Sequence, residues 1–172
     1  LDSLAIVGGN SGASAGAGIL VDGGAQLELA RCLVADHFTS YVGGGLMIFN
    51  GTVVVSNSTF VRNTATDGAA IWAQGSSTLQ LTHATVSGNT GSNAILSFIG
   101  ATLANSIVAG NSAGNFAEIG TPNLLGNNVT GGAPQLLPLG NYGGPTPSMP
   151  PLPASPVVNS AAPLAFTPTL DQ

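Results

Sequence analysis

Apolar residues recur along this chain in short alternating pairs, not in helical stripes. One stretch reads Leu27-x-Leu29-x-x-Cys32-x-Val34-x-x-His37. About 26 residues later the same frame reads Val53-x-Val55-x-x-Ser58-x-Phe60-x-x-Asn63, and after another such step Leu79-x-Leu81-x-x-Ala84-x-Val86-x-x-Asn89. A step of about 22 brings Ala101-x-Leu103-x-x-Ser106-x-Val108-x-x-Asn111. Alternation with period two predicts short strands with one face inward, and the two unpatterned residues between them predict a bend. A block of small residues precedes each copy and allows a tight turn: Gly16 to Ile19, Gly43 to Leu46, Gly68 to Ile71 and Ser92 to Ile95.

Three short strands per repeat with no helical period describe one turn of a coil. A lone coil can neither bury its inward face nor pair its strand amides, so the coils must stack. The predicted fold is all-β: a right-handed parallel β-helix, a single-stranded solenoid of about five coils. Stacking places equivalent residues in columns about 4.8 Å apart. His37, Asn63, Asn89 and Asn111 form one such column, whose amides can bond along the axis. His37 departs from the column's chemistry; it ends the ladder, or the neighbouring Asp36 takes its place. Residues 1–15 read as the end of an earlier coil, with Leu4 and Ile6 inward, so the pattern begins in mid-repeat. The loops that follow the column, from Phe38, Thr64 and Thr90, shorten along the chain and are where such scaffolds carry function.

The repeats occupy residues 1–130. From Gly131 the chain turns rich in proline, which removes ladder donors. Residues 131–172 therefore read as an extended tail of the same domain that caps the last coil or covers a flank.

Composition narrows the function. Only 5% of the residues are charged, with two arginines, no lysine, seven acids and a net charge of −5. A polyanion finds almost nothing to hold, which excludes nucleic acid and an anionic membrane surface. No apolar run is long enough for a membrane-spanning helix, and Leu1-Asp2-Ser3 does not read as a signal-peptide start. Cys32, the one cysteine, reads as a small buried side chain. Asn50-Gly-Thr52, Asn57-Ser-Thr59 and Asn128-Val-Thr130 match the glycosylation pattern but read as turn chemistry.

The Gly43-Gly-Gly-Leu46 block with Asn57-Ser-Thr-Phe60 and Asn63-Thr64 resembles repeats of bacterial secreted β-helix proteins of the polymorphic outer-membrane type. The tail, Gly140-Asn-Tyr-Gly-Gly-Pro-Thr-Pro-Ser148 followed by Leu152-Pro-Ala-Ser-Pro156 and Asn159, resembles the choice-of-anchor Q C-terminal module. It departs from that module at Tyr142, Ala154 and Asn159. The resemblance implies an extracellular or bacterial cell-surface protein and carries over no catalytic residue.

Outward positions must hold any function. In register, Leu20, Met47, Trp72 and Leu96 form one outward column, and Asp22, Phe49, Gln74 and Phe98 the next. Together they make a flat apolar strip whose regularity predicts contact with something. Three occupants fit: the chain's own tail, another protomer in a homo-oligomer or filament, or a polysaccharide stacking on Phe49, Trp72 and Phe98. A second outward column at the bend holds Arg31, Asn57, His83 and Asn105. Glu28, Arg31 and His83 are the best acid, cation and base set available, and the residues on which a polysaccharide hydrolase or lyase would depend. Asp36 and His37 with Asp67 are a weak candidate for a metal across a loop, without any known ligand spacing. The leading expectation is a non-enzymatic extracellular module for adhesion or self-assembly, with no cofactor and no metal. A carbohydrate-active β-helix enzyme is the alternative.

Overall fold

The alternating frame folds as a ladder, and each strand pairs with its counterpart one repeat away. A computed structural model of the chain describes residues 1–112, 114–118 and 122–163. Three five-stranded parallel sheets run along one axis. Sheet one contains Ile19–Asp22, Leu46–Phe49, Ile71–Gln74, Asn93–Ser97 and Gly114–Glu118. Sheet two contains Gln26–Ala30, Thr52–Ser56, Thr78–Thr82, Thr102–Ala104 and Asn123–Leu125. Sheet three contains Ala5–Val7, Leu33–Ala35, Thr59–Val61, Thr85–Ser87 and Ile107–Val108. The result is a parallel β-helix: four coils carry all three strands, and a partial coil lies at each end.

The predicted register holds. Leu29 pairs with Val55, Val55 with Leu81, and Leu81 with Leu103. The shorter step of 22 residues is absorbed at the corners and leaves every sheet in register. Inward residues from all three sheets meet in one core, in which Leu29, Leu46, Ile48, Phe60, Ile71, Leu79, Leu81, Ile95 and Leu103 are wholly buried. Each such side chain contributes roughly 2 kcal/mol of hydrophobic stabilisation. Cys32 lies in the same core, fully buried, with its thiol 3.2 Å from the Ala30 carbonyl. At the first partial coil Ile6 packs on the core opposite Val34, whereas Leu4 points into solvent; the inward expectation holds for one of the two.

The corners are made by residues in the left-handed region. In one coil these are Gly43, Asn50, Asn57 and Arg62; in the next they are Gly68, Gly75, His83 and Gly88. A non-glycine residue there costs about 1 kcal/mol, least for asparagine. Asn50 and Asn57 thus act as turn formers. The segments read as loops are themselves laddered: Asn10–Gly12 pairs with Phe38–Thr39, and bridges continue through Thr64 to Thr90.

The tail is not an end cap alone. Residues 135–152 form an irregular hairpin, with antiparallel bridges at Leu136–Pro151 and Gly140–Ser148. The hairpin runs back along the axis over the outer face of sheet three. Pro134 lies beside Gly110, Leu139 and Met149 pack on Leu33, Ala35 and Val61, and the Thr146 hydroxyl donates 2.9 Å to the Arg31 carbonyl. It is a strap that spans the coils from the last to the first.

Candidate functional site

Sheet one presents the predicted strip. Leu20, Met47, Trp72 and Leu96 are consecutive partners across the ladder, and Asp22, Phe49 and Gln74 form the adjoining column, which Phe98 continues. Of the three occupants considered for this strip, the proline-rich strap is not the one, because residues 135–152 lie on sheet three. The reason is packing: the chain leaves the last coil on sheet three at Val129, and Leu33, Ala35 and Val61 give it an apolar bed farther along that same sheet. Leu20 is 56% exposed, Phe49 37% and Phe98 39%, with Met47 and Leu96 half-buried between them.

Trp72 behaves differently. Only 9% of it is exposed, and its ring meets Phe98 edge-on with centroids 5.7 Å apart at 63°. Edge-to-face contact of this kind holds aromatic pairs in place. Trp72 is thus largely covered within its outward column, and Phe49 and Phe98 supply the exposed aromatic faces. They stand two rungs apart, about 9.6 Å, with Gln74 between them and Asp22 beside Phe49. Five strands about 4.8 Å apart, each about four residues long with two outward positions, offer a flat area of about 250 Å².

The proposed catalytic set does not assemble. Arg31 is held by the Asp2 carboxylate and the Ser3 hydroxyl. Glu28 faces outward from the first strand of sheet two, opposite Val54, while His83 belongs to the third coil. Arg31 and His83 lie two rungs apart, about 9.6 Å, and both take left-handed corner conformations, as do Asn57 and Asn105. The bend column is a geometric series, and backbone geometry explains its positions without chemistry. His83 lines a cavity of about 270 Å³ between the corner and the strap, together with Asn105, Asn127, Pro151, Val157 and Ser160. Its Nε2 accepts from the Asn105 amide at 3.3 Å. Asn105 also exchanges two hydrogen bonds with the Ala162 backbone, at 2.8 and 3.0 Å. Among the described residues no carboxylate lines this cavity, and its polar groups anchor the strap.

The weak loop metal candidate does not assemble either. Asp36 holds Arg62 through two bonds of 2.7 Å, which keep its carboxyl below the usual carboxylate range. Asp67 accepts from the Gly68 amide and from Asn93. Both ring nitrogens of His37 bond to backbone. Among the described residues no three His, Cys, Asp or Glu side chains gather to hold a metal. Both cationic side chains of the chain are committed to ion pairs, which strengthens the case against a polyanionic partner. No helix among the described residues is long and apolar enough to cross a membrane.

The buried asparagine column is present. Asn63 and Asn89 each send their backbone and side-chain N–H groups to the Oδ1 of the next asparagine, at 2.9–3.0 Å. Each also donates to a carbonyl of the coil before, at Val34 and Phe60. This is an internal spine and not a site. Comparison with family models, curated proteins and solved structures returns no match.

Proposed function

We propose that the chain is a non-enzymatic β-helix module of a secreted or bacterial cell-surface protein, which holds a neutral polysaccharide along the outer face of sheet one. One observation carries this reading: residues 135–152 of the tail strap sheet three, and no described residue covers the apolar strip of sheet one. Three arguments select the occupant. A stable protein–protein contact buries about 800 Å² on each partner, far more than the strip's roughly 250 Å². The net charge of −5 with both arginines paired disfavours an anionic polymer. Phe49 and Phe98, interleaved with the hydrogen-bonding Asp22 and Gln74, suit the alternating apolar faces and hydroxyls of a sugar chain. The extracellular setting rests on the resemblance of the tail and the repeats.

Affinity electrophoresis through gels containing neutral polysaccharides, such as a β-glucan and a galactomannan, tests the reading. At least one gel should retard the wild-type chain, and F49S/F98S should migrate freely in it. Equal mobility of both proteins in every gel contradicts the reading. Release of sugar fragments during the run would favour an enzyme instead. Light scattering across concentration should report a monomer; a concentration-dependent dimer lost in F49S/F98S would assign the strip to a second copy.

A further inference from the structure

Each asparagine of the spine performs two tasks for the coil before it. Its Oδ1 accepts the backbone N–H of the preceding spine residue, and its Nδ2 donates to a carbonyl three positions upstream of that residue. For position 37 the equivalent partners are Gly9 N–H and the Ile6 carbonyl, because Ile6 lies opposite Val34. His37 reaches both. Its Nδ1 lies 2.8 Å from the Gly9 nitrogen and its Nε2 2.9 Å from the Ile6 oxygen.

Those partners leave one protonation state. An amide N–H only donates, so Nδ1 must offer a lone pair. A carbonyl only accepts, so Nε2 must carry the proton. The ring is therefore neutral, and it is 2% exposed. A niche is shaped around it: a Cβ at Gly9 would stand 2.7 Å from Nδ1, and one at Gly18 would stand 2.8 Å from Nε2. No ionisable residue lies in the segments 6–9 or 17–18 that pack on the ring. The charged groups nearby are Asp36, adjacent in the chain, and Arg62, which Asp36 holds. Asp2 with Arg31 ties the same first coil at another corner.

We propose that His37 makes the joint between the first two coils acid-labile: a proton at Nδ1 meets the Gly9 N–H head-on, the ring leaves its niche, and the strands Ala5–Val7 and Asn10–Gly12 detach from the coil behind them. An asparagine at this position has no such dependence, so the joint differs from every other rung of the spine. Burial, the largest influence, lowers the His37 pKa below its ordinary 6.5, against opposing pulls from its hydrogen bonds and Asp36. The closed joint thus binds the proton more weakly than the open one. Its stability is complete above the ordinary histidine value and falls as the pH drops through that value toward the lower closed-state one. The Asp36–Arg62 pair persists in this window, since the Asp36 pKa is lowered from 3.8.

Amide hydrogen exchange on the full chain, corrected for the intrinsic rate, tests this between about pH 7.5 and about pH 5, across the range where histidine titrates. Protection over residues 5–12 should fall about tenfold, while that over 85–87 holds. H37N should keep the protection at both pH values, since asparagine can serve the same two partners. Nitrogen NMR of the imidazole supplies a check without substitution, and should report the Nε2–H tautomer near neutral pH. Unchanged protection in the wild type, an equal fall in H37N, or an Nδ1–H tautomer would each overturn the proposal.

Discussion

Sheet one and sheet three are built from the same repeat, and both carry apolar residues on their outer faces. Leu33, Ala35 and Val61 of sheet three are buried beneath Leu139 and Met149. Leu20, Met47, Leu96, Phe49 and Phe98 of sheet one have no such cover among the described residues. Outward apolar residues therefore do not by themselves mark a recognition surface in a solenoid. What separates the two faces among the described residues is the path of the strap, which covers one bed and not the other.

The faces share a spine, and breaking that should cost most. N89A removes the acceptor of two Asn63 N–H groups and the donor to the Phe60 carbonyl. With buried polar groups left unpaired, stability should fall by about 4 kcal/mol in urea unfolding. A loss below about 1 kcal/mol would show that the spine is not what holds the coils. The strap comes next. L139S/M149S should cost about 2 kcal/mol and make Leu33 and Val61 accessible, seen as increased binding of an apolar dye. The corresponding change on the open face, F49S/F98S, should cost less than about 1 kcal/mol. An equal cost for the two double variants would erase the proposed distinction between the faces. Smallest in energy, F98A should uncover Trp72 and shift its emission to the red; because Trp72 is the one tryptophan, the spectrum reads this contact alone.

Much of this architecture was legible in the chain. Period-two alternation announces inward strands, and a constant step fixes which residues stack, so Leu29, Val55, Leu81 and Leu103 were assignable without coordinates. The strip's columns followed from the same arithmetic. The strap's destination was not legible, because outward apolar residues occur on both faces and proline-rich chain has no period to register against either. The edge-on contact between Trp72 and Phe98 joins two different columns, so the repeat arithmetic does not disclose it. Arg31 and His83 read as chemistry in the sequence because residue type does not disclose a left-handed backbone. Asn57 and Asn105 in the same column, being tolerant of that conformation, were the available signal. His37 shows the converse: it differs from asparagine in name, yet its two nitrogens occupy the same two hydrogen-bonding roles.

The central claim is that recognition belongs to the open face and structure to the strapped one. Affinity electrophoresis of wild type, F49S/F98S and L139S/M149S in one polysaccharide gel, below the unfolding temperature of all three, tests it most directly. The account predicts that F49S/F98S loses retardation while L139S/M149S keeps it. Loss in the strap variant with retention in F49S/F98S would contradict it.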